Sequence, residues 1–139
     1  MKSIKRNGLT VTELEFLPIG YDTSAWVYRT GADDGETYFL KVRKGPVDAI
    51  SLAVPRSLKE AGATQVVARI PARGGEKPWG TIDDFALILY PFIPGRTAMD
   101  LGLSDPQWIE YGAILRAIHG TRLPDDVQRQ VPRESFVPT

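Results

Sequence analysis

Short runs of alternating apolar and polar residues predict that the first third of the chain forms β-strands. We expect a first strand from about Glu13 to Ile19, a second that begins with Trp26–Arg29, and a third that contains Tyr38–Val42. Residues 31–36 separate the last two runs and include an Asp-Gly pair, which favours a tight hairpin. The pattern therefore predicts three consecutive strands, with a small-residue turn after the first and a hairpin after the second.

A helix is predicted after the third strand. Apolar residues recur at helical spacing from Asp48 to Ala61, and Gly62 follows at a position typical of a helix C-terminal cap. Pro55 lies within this span, where it removes one backbone hydrogen bond. We therefore expect either a bent helix or one whose regular part begins near Ser51.

Two more strands are predicted in the segment that follows this helix. Gln65–Ile70 is predicted to be the fourth strand, residues 72–77 a loop, and Trp79–Thr81 the start of a short strand paired to the fifth. Phe85–Tyr90 is the most apolar run of the chain, which predicts a fifth, central strand buried on both faces. The sequence Pro-Phe-Ile-Pro-Gly at residues 91–95 ends it.

A second helix is predicted beyond this break. Ser104 and Gln107 have the spacing of a capping box, and apolar residues then recur at helical spacing until His119–Gly120. Residues 123–139 are polar, contain proline and lack a clear period, which predicts an extended connector. The predicted fold class is α+β, with a five-stranded antiparallel sheet, one helix between the third and fourth strands, and a helix after the hinge.

Composition excludes several classes of protein. The 139 residues carry 17 basic and 17 acidic side chains, so no basic field favours nucleic acid. The absence of cysteine and the presence of one histidine exclude disulfides and multi-histidine metal sites. No apolar run approaches the ~20 residues that span a bilayer, and no apolar segment follows the basic amino terminus as it would in a signal peptide. We expect a cytoplasmic domain without a membrane or nucleic-acid partner.

Lys41 is the candidate functional residue of the third strand. Large β-favouring residues flank it, and burying an ammonium group is costly unless an anion meets it. On a strand, Phe39, Lys41 and Arg43 share one face. A strand lysine can also extend its ammonium group to water, so the upstream order of strand, small-residue turn, strand and hairpin matters. That order is the one used by kinase-type nucleotide lobes.

Four segments, taken in order and with their spacing, resemble the aminoglycoside phosphotransferase family, which has a protein-kinase-like fold. They are Leu17–Ala25, Tyr38–Lys41, Leu87–Gly95 and Leu115–His119. The resemblance is to the amino-terminal lobe of the spectinomycin-phosphotransferase type, and it covers nearly the whole chain. It implies a nucleotide-binding lobe with its hinge at residues 1–95, a post-hinge helix at 96–122, and a connector at 123–139 to a second lobe that the chain lacks.

The resemblance implies ATP as the nucleotide and transfer of its γ-phosphoryl group to a hydroxyl of a small molecule. Lys41 would hold the α- and β-phosphates. Gly20 and the turn through Thr23 and Ser24 would cover the phosphates with backbone amides and hydroxyl groups. Asp22 lies in the same turn, and its charge would repel phosphate, so we expect it to point away or to hold the turn.

The resemblance also implies an adenine site between the lobes. Its expected residues are Ile19, Val27, Phe39, Tyr90, Pro91 and Ile93. The hinge residues Pro91 and Ile93 would offer a carbonyl and an N–H to the base, and Tyr90 would lie behind it. For the apolar members of this set, packing in a core is the alternative role.

Two parts of the family pattern are missing. The family's strand lysine usually pairs with a glutamate of the next helix, but the matching position lies near Ser51. Asp48 and Glu60 are the nearest acids, and Glu60 is the candidate partner of Lys41 unless the nucleotide alone orients it. His119–Gly120 ends a helix instead of opening a catalytic loop. We therefore expect no catalytic residue and no metal site in this chain, and Mg²⁺ only with a complete second lobe.

A non-enzymatic interaction module is the main alternative function. An exposed lobe interface containing Tyr90, Phe92 and Trp108 would favour a homodimer of kinase-like fragments. A Ser-His-Asp hydrolase that uses His119 is disfavoured, because no Gly-x-Ser-x-Gly elbow occurs.

Overall fold

The computed structural model describes residues 5–6, 8–71 and 79–138, which form one antiparallel sheet and four helices. The strands are β1 (Lys5–Arg6), β2 (Leu9–Leu17), β3 (Ala25–Ala32), β4 (Thr37–Lys44), β5 (Gly80–Ile82) and β6 (Phe85–Pro91). Their order across the sheet is β1-β2-β3-β4-β6-β5, and every neighbouring pair is antiparallel. The helices are α1 (Ala49–Glu60), α2 (Ala98–Leu101), α3 (Asp105–Gly120) and α4 (Asp125–Gln130).

The predicted α+β class is confirmed. Five antiparallel strands, β2 to β6, form the sheet, and the two-residue β1 extends it beyond β2. One helix, α1, lies between the third and fourth of these five strands, and α3 follows the hinge, as predicted. None of the helices in the described ranges has both the length and the apolar character needed to cross a bilayer.

The hydrophobic core lies on the face of the sheet opposite Lys41. Leu40, Leu87 and Leu89 form its centre, and all three are at most 6% exposed. Burial continues along β6 through Ala86, Leu87, Ile88 and Leu89, which confirms the prediction of a central strand covered on both faces. The other face of β4 and β6 is left for α1 and for the candidate site.

The predicted fourth strand, Gln65–Ile70, is wrong. This segment is irregular: the Ile70 N–H donates a hydrogen bond to the Leu89 carbonyl at 2.7 Å and the Ile70 side chain packs against the core of the sheet, but no ladder of strand pairs forms. The place next to β6 is taken instead by Gly80–Ile82, which pairs with Phe85–Leu87 in a short hairpin, as the Trp79–Thr81 pattern predicted. The local β-propensity of Gln65–Ile70 therefore did not decide which segment pairs with β6. The segment joined to β6 by the shorter connection, Gly80–Ile82, pairs with it instead. The predicted loop at residues 72–77 lies outside the described residues.

Helix α1 begins and ends near the predicted residues. The Asp48 side chain caps it by accepting a hydrogen bond from the Ile50 N–H at 3.1 Å, and Gly62 follows its end with φ of 108°. The helix continues through Pro55, which leaves the Ser51 carbonyl without the usual amide donor. Leu52 and Leu58 are its buried residues, and Leu52 lies beside Lys41 and Ile88 of the sheet.

Strand β2 and the carboxyl-terminal segment differ from the sequence pattern, and β2 already begins at Leu9, before the predicted Glu13. Strand β2 ends at Leu17 instead of Ile19, because Pro18 has no N–H to donate to a ladder. The predicted extended connector contains helix α4, which lies against α1. Asp125 and Asp126 in its first turn and Arg129 in its last complement the helix dipole, a short-range signal that the pattern of apolar residues does not report.

Candidate functional site

Strand β4 places Phe39, Lys41 and Arg43 on the face of the sheet that α1 partly covers. Lys41 lies directly opposite Val27 of β3 and Ile88 of β6, so it occupies the middle of a three-stranded platform. Its side chain is 30% exposed. The side chain is thus partly buried along its length, while the ammonium group at its end remains accessible to a ligand.

The first hollow on this face, which we call the hinge hollow, has a volume of about 700 Å³. It lies between the end of β2, the middle of β4 and the segment that follows β6. Its lining residues are Leu17, Ile19, Phe39, Lys41, Val67, Tyr90, Pro91, Phe92, Ile93, Pro94, Gly95, Arg96, Thr97 and Asp100. A mostly apolar hollow of this size, with the cationic side chains of Lys41 and Arg96 in its lining, suits a ligand that has a flat apolar part and an anionic part.

Aromatic side chains form the floor of the hinge hollow. The rings of Phe39 and Tyr90 lie edge to face, with centroids 6.3 Å apart. Burial raises the pKa of the Tyr90 phenol, and the positive charge of Arg69 opposes that rise. Tyr90 therefore presents a neutral ring and a hydroxyl group at neutral pH.

The hinge itself, residues 91–95, leaves the sheet at the end of β6. Pro91 still lies in register opposite Tyr38, whereas Ile93 is 63% exposed. The Phe92 ring faces the Arg29 guanidinium group at 5.4 Å, which ties the hinge to β3. The expected base contacts of the Pro91 carbonyl and the Ile93 N–H stay predictions.

The second hollow, which we call the helix hollow, lies between β4 and α1 and has a volume of about 650 Å³. Its lining residues are Lys41, Arg43, Pro46, Val47, Asp48, Ser51, Leu52, Ile88 and Tyr90. Lys41 and Tyr90 line both hollows, and Arg43 lines only this one. A ligand that extends from the hinge hollow past Lys41 would therefore reach Arg43.

The turn between β2 and β3 lies beside Lys41, which its Asp22 side chain contacts. Gly20 has φ of 98°, which residues with a Cβ rarely adopt, so glycine is needed there. Asp22 holds the turn, because its Oδ1 accepts a hydrogen bond from the Ser24 N–H at 2.9 Å. The Ser24 carbonyl in turn accepts from the Lys44 N–H at 2.9 Å, which fixes the turn to the end of β4.

The second carboxylate oxygen of Asp22 faces the two cations of β4. Oδ2 lies 3.2 Å from Nη1 of Arg43 and 3.8 Å from Nζ of Lys41. The hydrogen bond from the Ser24 backbone, followed by the charges of Arg43 and Lys41, lowers the pKa of Asp22, although partial desolvation acts in the opposite direction. Asp22 thus holds the turn, as one of the two expectations had it, but it also faces inward as an anion.

The prediction that Glu60 pairs with Lys41 is wrong. Glu60 accepts a hydrogen bond from Nε of Arg56 at 2.6 Å, one helical turn away, and it does not pair with Lys41. Asp48 serves as the cap of α1 and lines the helix hollow without an ion pair to Lys41 among the described residues. The acid that Lys41 meets belongs to the turn, not to the helix.

The structure brings together most of the sequence-predicted site residues. Those that line the hinge hollow are Ile19, Phe39, Lys41, Tyr90, Pro91 and Ile93. Val27 is buried beside Lys41, and Gly20, Thr23 and Ser24 form the exposed turn; these four line neither hollow.

Sequence reasoning missed two groups of residues. Val67 lines the hinge hollow from a segment that had been assigned to a strand, and no local signal places it there. Asp22 and Arg43 carry detectable signals: Arg43 shares a strand face with Lys41, and Asp22 lies in the turn above it. The charge of Asp22 was considered only against phosphate, and Arg43 was not considered as its partner.

The described residues do not form a metal centre. No three histidine or carboxylate side chains gather in the described part of the chain as a set of metal ligands. The acids near Lys41 have other partners: Asp22 pairs with the cations, Asp48 caps α1, and Asp100 accepts a hydrogen bond from Thr97 at 2.8 Å. The described residues therefore do not form a preassembled site for Mg²⁺.

Comparison with solved structures relates this fold to a kinase-like enzyme. Spectinomycin phosphotransferase APH(9)-Ia, in complex with ADP and spectinomycin, matches 93% of this chain with a TM-score of 0.78 and 29% sequence identity. The AMP-bound complex of the same enzyme matches 91% of the chain with a TM-score of 0.72 and 26% identity. The chain spans 39% and 38% of the length of those two structures. No protein-family model matches the chain, and no curated protein matches it significantly.

These comparisons confirm the resemblance that the four sequence segments predicted. The matched neighbours are enzymes of the aminoglycoside phosphotransferase kind, and the part of them that this chain covers has the same α+β lobe.

Proposed function

We propose that this chain, an amino-terminal lobe of the aminoglycoside phosphotransferase type, binds ATP in the hinge hollow. The observation that carries the proposal is the position of Lys41, at the junction of two hollows and opposite an apolar hinge. An ammonium group held there meets the phosphates of a nucleotide whose base lies against the hinge. The matched neighbours are complexes with ADP and AMP, which supports a nucleotide as the ligand.

The adenine would lie in the apolar part of the hinge hollow. Phe39 and Tyr90 offer ring surfaces below the base, and Ile19 covers it from the end of β2. The Pro91 carbonyl and the Ile93 N–H would fix its orientation by hydrogen bonds, because both lie where the chain leaves the sheet. In this arrangement Val67 closes the side of the pocket that faces the segment after α1.

The phosphates would lie between Lys41 and the turn of Gly20 to Ser24. The turn carries backbone N–H groups and the hydroxyl groups of Thr23 and Ser24, which are suited to phosphate oxygens. Mg²⁺ is not assigned to these residues, and it would enter only with groups from outside the 139 residues. We therefore assign nucleotide binding to residues 1–95, with 96–122 and 123–139 as the post-hinge helix and the connection to further residues of a phosphotransferase.

A titration with a fluorescent ATP analogue tests this function. We expect saturable binding to the wild-type chain and an affinity at least about tenfold lower for Lys41→Ala, because a charged contact to phosphate is lost. Lys44→Ala is the matched control, since Lys44 is exposed at the end of the same strand and lines neither hollow. Equal affinities for wild type and Lys41→Ala would refute the assignment.

Self-association is a second candidate function, and the surface of α3 favours it. Trp108, Ile109 and Tyr111 are 57%, 75% and 48% exposed, and Met99 of α2 is 77% exposed. Apolar side chains exposed together commonly mark an interface. Light scattering over a range of concentrations tests the homodimer, and a constant monomer mass would exclude it.

A further inference from the structure

The two cations of β4 share one anionic oxygen. Oδ2 of Asp22 lies 3.2 Å from the guanidinium group of Arg43 and 3.8 Å from the ammonium group of Lys41. A single oxygen between a guanidinium and an ammonium group reproduces the contacts that a phosphate oxygen makes. The carboxylate thus stands at a position where a phosphate would bind.

Arg43 has donor capacity that the described residues do not use. Its Nη1 donates to Asp22, but its Nε is buried and has no hydrogen-bond partner in the described part of the chain. A buried donor without a partner is uncommon and costly. An anion larger than one carboxylate oxygen would supply the missing acceptor.

The Asp22 side chain is placed so that it can rotate away from the two cations. It lies in an exposed turn, and its side chain is 37% exposed. The turn keeps the hydrogen bond from the Ala25 N–H to the Asp22 carbonyl when the side chain rotates away. Rotation would also release the Ser24 N–H, which Oδ1 of Asp22 now occupies, for a phosphate oxygen.

We propose that Arg43 is a second phosphate-binding cation, and that the Asp22 carboxylate holds the phosphate position until a nucleoside di- or triphosphate displaces it. The inference rests on the proposed nucleotide function and specifies its ligand class. Lys41 and Arg43 are two residues apart on one strand face, about 6.6 Å along the strand. Because Arg43 lines the helix hollow and not the hinge hollow, we expect its contribution to binding to increase with the number of phosphates that extend past Lys41.

Asp22→Asn tests the carboxylate with little change of shape. Asparagine keeps an oxygen that accepts from the Ser24 N–H, so the turn is retained and only the negative charge is lost. Competition against a fluorescent ADP analogue, with adenosine, AMP, ADP and ATP as competitors, measures the effect of phosphate number. We expect Asp22→Asn to bind ADP and ATP about tenfold more tightly than wild type, AMP with a smaller gain, and adenosine unchanged.

Arg43→Gln tests the second cation. We expect this change to lower the affinity for ADP and ATP about tenfold and to leave the affinity for adenosine unchanged, since the phosphates are the part of the nucleotide that the guanidinium group would contact. Two controls remove the same charges elsewhere. The first is Asp33→Asn: Asp33 lies at the far end of the β3–β4 hairpin, where its carboxylate accepts a hydrogen bond from the Thr10 N–H. The second is Lys44→Gln: Lys44 follows Arg43 in β4 and lies on the opposite face of the strand. Circular dichroism spectra identify any variant that fails to fold.

The outcomes separate the two proposals. If wild type binds ADP in a Lys41-dependent way, but Asp22→Asn does not tighten it or Arg43→Gln does not weaken it, this inference is overturned and the nucleotide function stands. A gain for adenosine equal to that for ATP would also overturn it, because the effect would not depend on phosphate. If wild type and all variants bind no nucleotide, both proposals fall.

Discussion

Leu40→Ala tests whether the core face of β4 is separate from the face proposed to bind a nucleotide. Leu40 is 3% exposed and lies between Phe39 and Lys41 in sequence, yet its side chain points to the opposite face, against Leu87 and Leu89. The change removes roughly three methyl or methylene groups from the core, each worth about 0.8 kcal/mol. It should therefore lower stability without touching the ligand.

A cavity adds to that loss. The core beside Leu40 already contains a small apolar void of about 10 Å³, lined in part by Leu87 and Leu89, so the surrounding strands do not close fully around their side chains. The space left by Leu40→Ala will therefore remain largely open, and each Å³ of residual cavity lowers the free energy of unfolding by about 24 cal/mol. We expect a decrease in the free energy of unfolding of about 3–4 kcal/mol.

Urea unfolding followed by tryptophan fluorescence measures this decrease. Leu14→Ala is the matched control: the same atoms are deleted from β2, but Leu14 is 52% exposed, so a loss below about 1.5 kcal/mol is expected. At low urea, the folded fraction of Leu40→Ala should bind the ATP analogue with wild-type affinity. A loss below about 1 kcal/mol for Leu40→Ala, or one equal to that of Leu14→Ala, would refute the placement of Leu40 in the core.

Two further predictions concern charged groups. Folding lowers the pKa of Asp22, so its stabilising contribution is complete above about pH 4 and is lost as the pH falls through the folded-state pKa. The difference in urea midpoint between wild type and Asp22→Asn should therefore be present at pH 7 and decrease as the pH falls through the lowered pKa of Asp22, whereas a constant difference would contradict the ion pairs. Glu60→Gln should cost less than about 1 kcal/mol and leave nucleotide affinity unchanged, because Glu60 pairs with Arg56 on the helix surface. A loss of affinity like that of Lys41→Ala would restore Glu60 as the lysine's partner.

The elements that short-range signals determine could be predicted from the sequence. The Asp-Gly turn joins β3 to β4, and the Ser104 N–H bonds to the Gln107 side chain at 2.9 Å at the start of α3, as the capping-box spacing predicted. The face that Lys41 shares with Phe39 and Arg43 follows from strand alternation alone. In each case the interacting residues lie a few positions apart.

The features that could not be predicted depend on contacts between segments that are far apart in the sequence. Gln65–Ile70 has β-propensity, but the edge of β6 was taken by the closer Gly80–Ile82. The inward direction of Asp22 depends on two cations about twenty residues away, and the position of Val67 depends on the path of an irregular segment. Neither leaves a periodic trace in the sequence.

The placement of β6 has a consequence for how a ligand would be engaged. This strand has neighbours on both sides and runs straight into the hinge, so the wall that would receive a base is braced before any ligand arrives. The opposite wall is a solvent-facing turn, and under the proposed displacement its acidic side chain would rotate aside. A nucleotide would then meet a wall that is already in place at the hinge and a turn that rearranges around its phosphates.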